Sequence, residues 1–179
     1  MSHTLSTKAC AHILVMGVAG SGKSTVGQAL ADALRYEFLE GDAYHPPENV
    51  AKMAAGIPLT DADRVPWLRE LASVLGERHR RGIGTVLACS ALRRAYRDVL
   101  RSAIPIDEAY AVHLAADVAA LDHRLATRAG HFMPTSLLAS QLATLEPLHD
   151  DEAGVTIDAT RALGVVIDQA LAAVNAGVD

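Results

Sequence analysis

The sequence predicts an α/β fold: a mostly parallel, five-stranded sheet in a three-layer arrangement, with helices on both faces. Three observations carry that prediction. Short, β-branched apolar runs alternate with longer segments of helical periodicity, and strands in that order need crossover connections. The 179 residues suffice for one domain that buries roughly 70% of the surface its unfolded chain exposes. A glycine-rich motif falls between the first strand and the first helix, at the edge where parallel sheets bind ligands.

Residues 1–10 are polar and irregular and are assigned to a flexible tail; residues 11–179 form a single domain. The run Ala11-His12-Ile13-Leu14-Val15-Met16 is mostly apolar and stops at Gly17, as a buried strand does. Over 23–34, Val26, Leu30, Ala33 and Leu34 recur at helical spacing. A second strand over 36–40 ends at Gly41-Asp42, and Pro46-Pro47 opens a short helix through residue 53, where proline is tolerated in the first turn. Thr60 starts a helix to about residue 80, with Asp63 as an acidic variant of the capping box. The third strand is 84–89, followed by a basic helix over 92–101 whose Arg94 and Arg97, beside Asp98, read as a solvated face. The fourth strand is 110–114 and the next helix 117–129; residues 129–134 break it, and a helix over 135–145 follows. A strand at 155–158 and a helix at 161–174 close the pattern, with no internal repeat or linker.

Composition narrows the function. Half the residues are hydrophobic and 21% are charged, which is globular composition. Sixteen Lys and Arg against 21 Asp and Glu leave a net charge of −5, the wrong sign for a dedicated nucleic-acid binder. Cys10 and Cys89 form no CxxC or metal-spaced pattern, so a reducing cytoplasm is the simpler setting. Lys8 and the apolar run after it imitate a short secretion signal, but Ser21-Gly22-Lys23-Ser24 follows instead of a cleavage site. Asp117 and Asp168 interrupt the best apolar stretches before they reach the roughly 18 residues of a membrane span. The expectation is a soluble protein.

Gly17-Val18-Ala19-Gly20-Ser21-Gly22-Lys23-Ser24 fits G-x-x-x-x-G-K-[ST] at every fixed position. Glycines let successive backbone N–H groups turn inward onto phosphate oxygens, and the following helix adds the positive end of its dipole. Lys23 then serves the β- and γ-phosphates of ATP, and the Ser24 hydroxyl is placed to ligate Mg²⁺. A dinucleotide fingerprint fails because Thr25 stands three positions beyond Gly22. A GTPase reading fails because no N-K-x-D occurs and the D-x-x-G at 151–154 comes too late. This is the ATP-using kind of loop, found at this length most often in small kinases.

The acceptor side follows the second strand. Asp42 either faces the γ-phosphate and takes a proton from an attacking hydroxyl, or caps a turn. His45, ahead of Pro46-Pro47, either contacts substrate or closes a turn. Arg64, near Trp67, suits bidentate capture of a carboxylate, with an i,i+3 pair to Asp61 as the alternative. Ser90 and Arg93 fall on the ligand edge after the third strand. Arg124 and Arg128 share a helix face that breaks at Gly130-His131-Phe132-Met133-Pro134. They read either as a lid over about 124–136, held away from ATP until substrates bind, or as a plain surface helix; His131 contacts substrate or caps that helix.

The strings GVAGSGKST, EGDAYHPPENVAKMAAGIPLTDADRVPWL, CSALRRAYRDVLR and GHFMPTSLLASQLATLEP, in order from Gly17 to Pro147, closely resemble the small ATP-dependent gluconokinases, which phosphorylate D-gluconate at its 6-hydroxyl. The resemblance implies a P-loop fold like that of the nucleoside-monophosphate and shikimate kinases. It implies that residues 17–25, Gly17 through Thr25, hold ATP, with Mg²⁺ at Ser24, and that Asp42 serves the acceptor hydroxyl. It implies a gluconate pocket of His45, Lys52 and Arg64, extended by Arg93, His131 and Gln141, with Arg124 and Arg128 as lid arginines. It also implies a homodimer. Ala19, Val65 and Leu142 depart from the family's usual serine, lysine and phenylalanine. Taken alone, the residues leave two other readings open: a kinase for shikimate or a nucleoside monophosphate, and a nucleotide-binding regulator with little turnover.

Overall fold

The fold is described from a computed structural model over residues 11–127 and 135–177. The alternation is β1 (His12–Met16), α1 (Lys23–Leu34), β2 (Glu37–Glu40), α2 (Pro47–Ala54), α3 (Asp61–Arg80), β3 (Thr85–Ala88), α4 (Arg94–Arg101), β4 (Ala109–Ala115), α5 (Val118–Thr127), α6 (Thr135–Thr144), β5 (Gly154–Asp158) and α7 (Leu163–Gly177). Two short 3₁₀ turns, Gly41–Tyr44 and Ile106–Glu108, had no sequence signal. The five strands form one parallel sheet in the order β2-β3-β1-β4-β5. Central β1 pairs with β3 on one side, His12 opposite Thr85, and with β4 on the other, His12 opposite Ala109.

Both faces of the sheet are covered, as a parallel sheet requires. On one, Val26 and Leu30 of α1 and Val166, Ala170 and Val174 of α7 pack on Ile13, Val15, Val86 and Val112. On the other, Trp67, Leu68, Leu71 and Leu75 of α3 and Leu100 of α4 pack on Met16, Leu39 and Leu87. Each of the Val, Leu, Ile and Met side chains contributes roughly 1.5–3 kcal/mol when fully buried. A third cluster, Val18, Leu92, Leu121 and Leu138, brings α5 and α6 against the loop that follows β1. The layers are helix, sheet, helix, with the loop clusters gathered at the carboxyl edge.

The capping box is present in both directions. Thr60 Oγ1 accepts from the Asp63 N–H at 3.2 Å, and Asp63 Oδ2 accepts from the Thr60 N–H at 2.9 Å. One reading of α4 is corrected. Arg94 does lie near the surface, paired with Asp151 at 2.5 and 2.8 Å, but Arg97 has no exposure at all. Its Nε and Nη2 each reach Glu152 at 2.7 Å, and its other donors meet the carbonyls of Ala91, Leu92, Glu146 and Pro147. A buried guanidinium keeps its charge only when fully partnered, and Glu152 supplies the partner.

Candidate active site

β1 delivers the chain to the phosphate loop at the carboxyl edge of the sheet. Gly17 has φ of 145°, and a Cβ there would lie 2.7 Å from the Leu114 carbonyl oxygen, so only glycine lets the turn pass that close to β4. Gly22, with φ of 96°, sits at the N-cap of α1, which aims the helix amides into the loop. Lys23 Nζ donates to the Val18 carbonyl at 3.1 Å, folding its ammonium back across the loop. The Ala19 N–H donates to Gln141 Oε1 of α6 at 2.7 Å. Gln141 therefore stands on the loop itself.

The loop forms one wall of a cavity of about 610 Å³ that Lys23, Ser24, Asp42, His45, Arg64, Ser90, Arg124 and Gln141 all line. The opposite wall hangs on Trp67. Its indole N–H donates to the Gly41 carbonyl at 2.8 Å, pinning the 3₁₀ turn that carries Asp42, whose side chain is 69% exposed. His45 stacks on the same indole, with centroids 4.0 Å apart and planes 17° from parallel.

Hydrogen bonding defines the His45 tautomer. The buried Asn49 amide donates from Nδ2 to the Asp63 carbonyl at 2.8 Å, so Nδ2 is a nitrogen; it also faces His45 Nδ1 at 3.3 Å, which must then accept. The imidazole proton therefore sits on Nε2, 4.0 Å from Asp42 Oδ1. Burial lowers the His45 pKa, Asp42 partly opposes this and Arg64 adds to it, so the ring is neutral.

Arg64 is 13% exposed and donates to the Leu59 carbonyl at 2.5 Å. Asp61 Oδ1 lies 3.9 Å away, but Asp61 is already engaged by Arg93 at 2.7 Å and by the Tyr96 hydroxyl at 2.5 Å. Arg64 and Arg93 approach the Tyr96 ring at 5.6 and 6.0 Å from its centroid, and only Arg64 lines the cavity. Lys52 is not brought to the cavity either. It meets Asp63 Oδ1 at 2.6 Å, and that bond, with those from Thr60, holds the Asp63 carboxyl down at about 2.

Arg124 lines the cavity together with the phosphate loop and donates to the Ala159 carbonyl. That differs from the expectation of a lid arginine held away from ATP: packing of Leu121 against Val18 keeps α5 on the loop. Arg128, His131 and most of the expected lid lie outside the described residues, as does the tail over 1–10.

Sequence reasoning missed Glu40, Leu59, Leu125, Leu137 and Ser140 in the lining. Glu40, the last residue of β2, was findable from its place at the strand's carboxyl end; the others carry no chemical signature. The hydroxyl of Ser24 and the carboxylates of Glu40 and Asp42 give the cavity a hard oxygen donor set, which fits Mg²⁺.

The arrangement matches known proteins. The AAA domain family matches residues 13–148. A gluconokinase from Gluconobacter oxydans (strain 621H) is 49% identical over 158 residues, 88% of this chain and 87% of that protein. A sugar kinase from Janibacter sp. HTCC2649, solved unliganded, superposes with a TM-score of 0.88 at 48% identity, covering 92% of this chain and 94% of that one. A gluconokinase from Sinorhizobium meliloti 1021 superposes with a TM-score of 0.84 at 46% identity, covering 94% of both chains.

Proposed function

Because the chain belongs to the gluconokinase family, on an AAA-type P-loop domain, we propose that it transfers the γ-phosphoryl group of ATP to the 6-hydroxyl of D-gluconate. The observation that carries the reading is the placement of Asp42 and Arg64 in one cavity with the phosphate loop. ATP lays its phosphates on the amides of residues 17–25, with Lys23 over the β- and γ-phosphates. Asp42 accepts the proton of the attacking hydroxyl as its oxygen bonds to phosphorus and the bond to ADP breaks. Arg64 holds the gluconate carboxylate, and the His45 Nε2–H donates either to a sugar hydroxyl or to Asp42, orienting it. Arg124, in the cavity wall, adds positive charge where the transferred group becomes most anionic.

Mg²⁺ bound at Ser24 would neutralise charge between the β- and γ-phosphates. Lys52, Arg93, His131 and Gln141 are assigned to the sugar-acid pocket on the strength of the resemblance, and Ser90 on its place after the third strand, in the cavity lining; the pairs Lys52–Asp63 and Arg93–Asp61 would have to open or act through their partners. Membership of this family also supports a homodimer and a cytoplasmic setting. No helix among the described residues is long and apolar enough to cross a membrane.

Shikimate also carries a carboxylate, so Arg64 alone does not exclude it, and the experiment must. ADP release is followed with gluconate, shikimate and AMP in parallel. Turnover with gluconate alone is expected. Turnover with shikimate or AMP instead would replace the assignment, and no turnover with any acceptor would favour a nucleotide-binding regulator.

A further inference from the structure

At the amino edge of the sheet, away from the phosphate loop, three side chains converge from three elements. His12 opens β1, His79 lies in the last turn of α3, and Glu108 ends the 3₁₀ turn leading into β4. One ring nitrogen of each histidine and a carboxylate oxygen of Glu108 all lie within 4.8 Å of one another. His12 is 3% exposed; its Nδ1 lies 2.8 Å from Thr85 Oγ1, but its Nε2 has no hydrogen-bond partner. His79 Nδ1 and Glu108 Oε2 approach to 3.1 Å without forming a hydrogen bond of acceptable geometry. Of five buried side-chain polar atoms left unpartnered among the described residues, three belong to this one cluster. Native folds rarely leave such atoms orphaned unless something else satisfies them.

We propose that His12, His79 and Glu108 bind a first-row divalent transition-metal ion, Zn²⁺ foremost, which clamps β1, α3 and the turn before β4 together. Two imidazoles and a carboxylate are a zinc ligand set, with water completing four-coordination. Bonds of about 2.0–2.1 Å to a tetrahedral ion set its ligand atoms roughly 3.3 Å apart. The His79–Glu108 contact, at 3.1 Å, is close to that spacing, and the ion would draw the partly exposed His79 side chain toward His12. With the ion on His12 Nε2, the Nδ1–H donates to Thr85 Oγ1, the kind of outer bond that orients a metal-bound histidine. Leu14, Leu75, Leu87 and Leu100 line a small apolar cavity beside His12, so the buried ligand is shielded from water. Arg101 lines the same cavity, and Glu152 meets its charge at 2.9 Å. His12 and Gly17 stand five residues apart along β1, roughly 16 Å, so this ion is separate from the Mg²⁺ of the reaction, which takes hard oxygen ligands.

The test uses tag-free, chelator-treated full chain. Zn²⁺ is titrated in competition with a chromophoric chelator, and Co²⁺ is added separately for its visible d–d absorption. One equivalent of Zn²⁺ should bind, Co²⁺ should show the intense bands of a four-coordinate nitrogen–oxygen site, and excess Mg²⁺ should not compete. Zn²⁺ at 100 times its Kd should shift the unfolding equilibrium about 100-fold toward the fold. His79→Ala and Glu108→Gln should each weaken Zn²⁺ binding by roughly tenfold or more while leaving ATP-dependent turnover in place. Failure of the unmodified protein to bind one equivalent, a Co²⁺ spectrum of a six-coordinate aquo ion, or unchanged affinity in either folded variant overturns the site. Where a variant loses turnover and fold together, the Co²⁺ spectrum and the other variant decide.

Discussion

In the proposed reaction Lys23 and Asp42 serve different parts of the same phosphoryl transfer, so their substitutions should fail differently. Lys23→Ala removes a preorganised cation from the transferred group and should lower kcat/KM about 10²-fold or more. A variant that keeps half the rate would contradict the loop's role. Asp42→Asn keeps shape but cannot take a proton; nucleotide affinity by titration should hold while kcat collapses. If both fall together, Asp42 holds structure or metal instead. In the proposed pocket Arg64 sets specificity: glucose would leave its nearly buried guanidinium without the substrate carboxylate, at a cost of up to about 3–5 kcal/mol, or roughly 10²- to 10³-fold in selectivity. Arg64→Ala should therefore raise KM for gluconate and narrow its advantage over glucose, and equal use of both sugars by the unmodified protein would refute the pocket. The placement of Asp42, Ser90 and Arg64 in one cavity was legible in the sequence because two directly follow strands at the ligand edge and the third sits beside an aromatic anchor. The engagement of Lys52 was not. Its partner Asp63 lies 11 positions on and already serves the cap of α3, and no local pattern shows one carboxylate answering two demands.

At the level of elements, α4 shows why charge patterning misleads. Arg94 and Arg97 look equivalent beside Asp98, but a partner 55 positions away draws Arg97 inward. The usable signal was that Arg97 falls next to Tyr96 and one turn before Leu100, on the buried face. Once buried, Arg97 holds the carbonyl of Ala91, whose φ of 42° is an uncommon conformation for a residue with a Cβ, just behind Ser90 in the cavity wall. Arg97→Ala should cost about 3–5 kcal/mol in denaturant unfolding, because it strands the Glu152 carboxylate. A loss under 1 kcal/mol by the same measurement would mean the pair is dispensable. Acid should act on the same tie. Burial pushes the Glu152 carboxyl up, but hydrogen bonds from Arg97 and the His149 amide, with the charges of Arg97 and Arg101, bring it down from 4.5 to about 2. A depressed folded pKa stabilises above the unfolded value, so about 3 kcal/mol should be present above pH 4.5 and fade as the pH falls toward 2. Urea midpoints across that window check it, and Glu152→Gln should flatten the slope.

For the whole molecule, the class of fold, the strand count and the alternation were legible because periodicity switches cleanly between strand and helix. The spatial order of the strands was not, since right-handed crossovers allow more than one order and nothing local distinguishes them. Nor was the closeness of α6 to the phosphate loop, which joins Val18 to Leu138 in one apolar cluster and the Ala19 N–H to Gln141 Oε1 across 122 positions. The strand order has a consequence for how the protein comes into being. β1 ends in the loop proposed to hold ATP, yet its two neighbours in the sheet are β3 and β4, and neither is the next strand synthesised. As the chain leaves the ribosome, the whole glycine-rich motif has emerged by residue 24, but β1 lacks a partner until residues 85–88 appear and lacks its second until 109–113. The loop's close passage by Leu114 waits for the same strand. A fragment of residues 1–108 should therefore wash through an immobilised-ATP column that retains the full chain. Retention of that fragment would mean the loop organises without β4. During translation, nucleotide binding should arrive as a late and abrupt acquisition, and ATP should give no help to the nascent chain through most of its first two thirds.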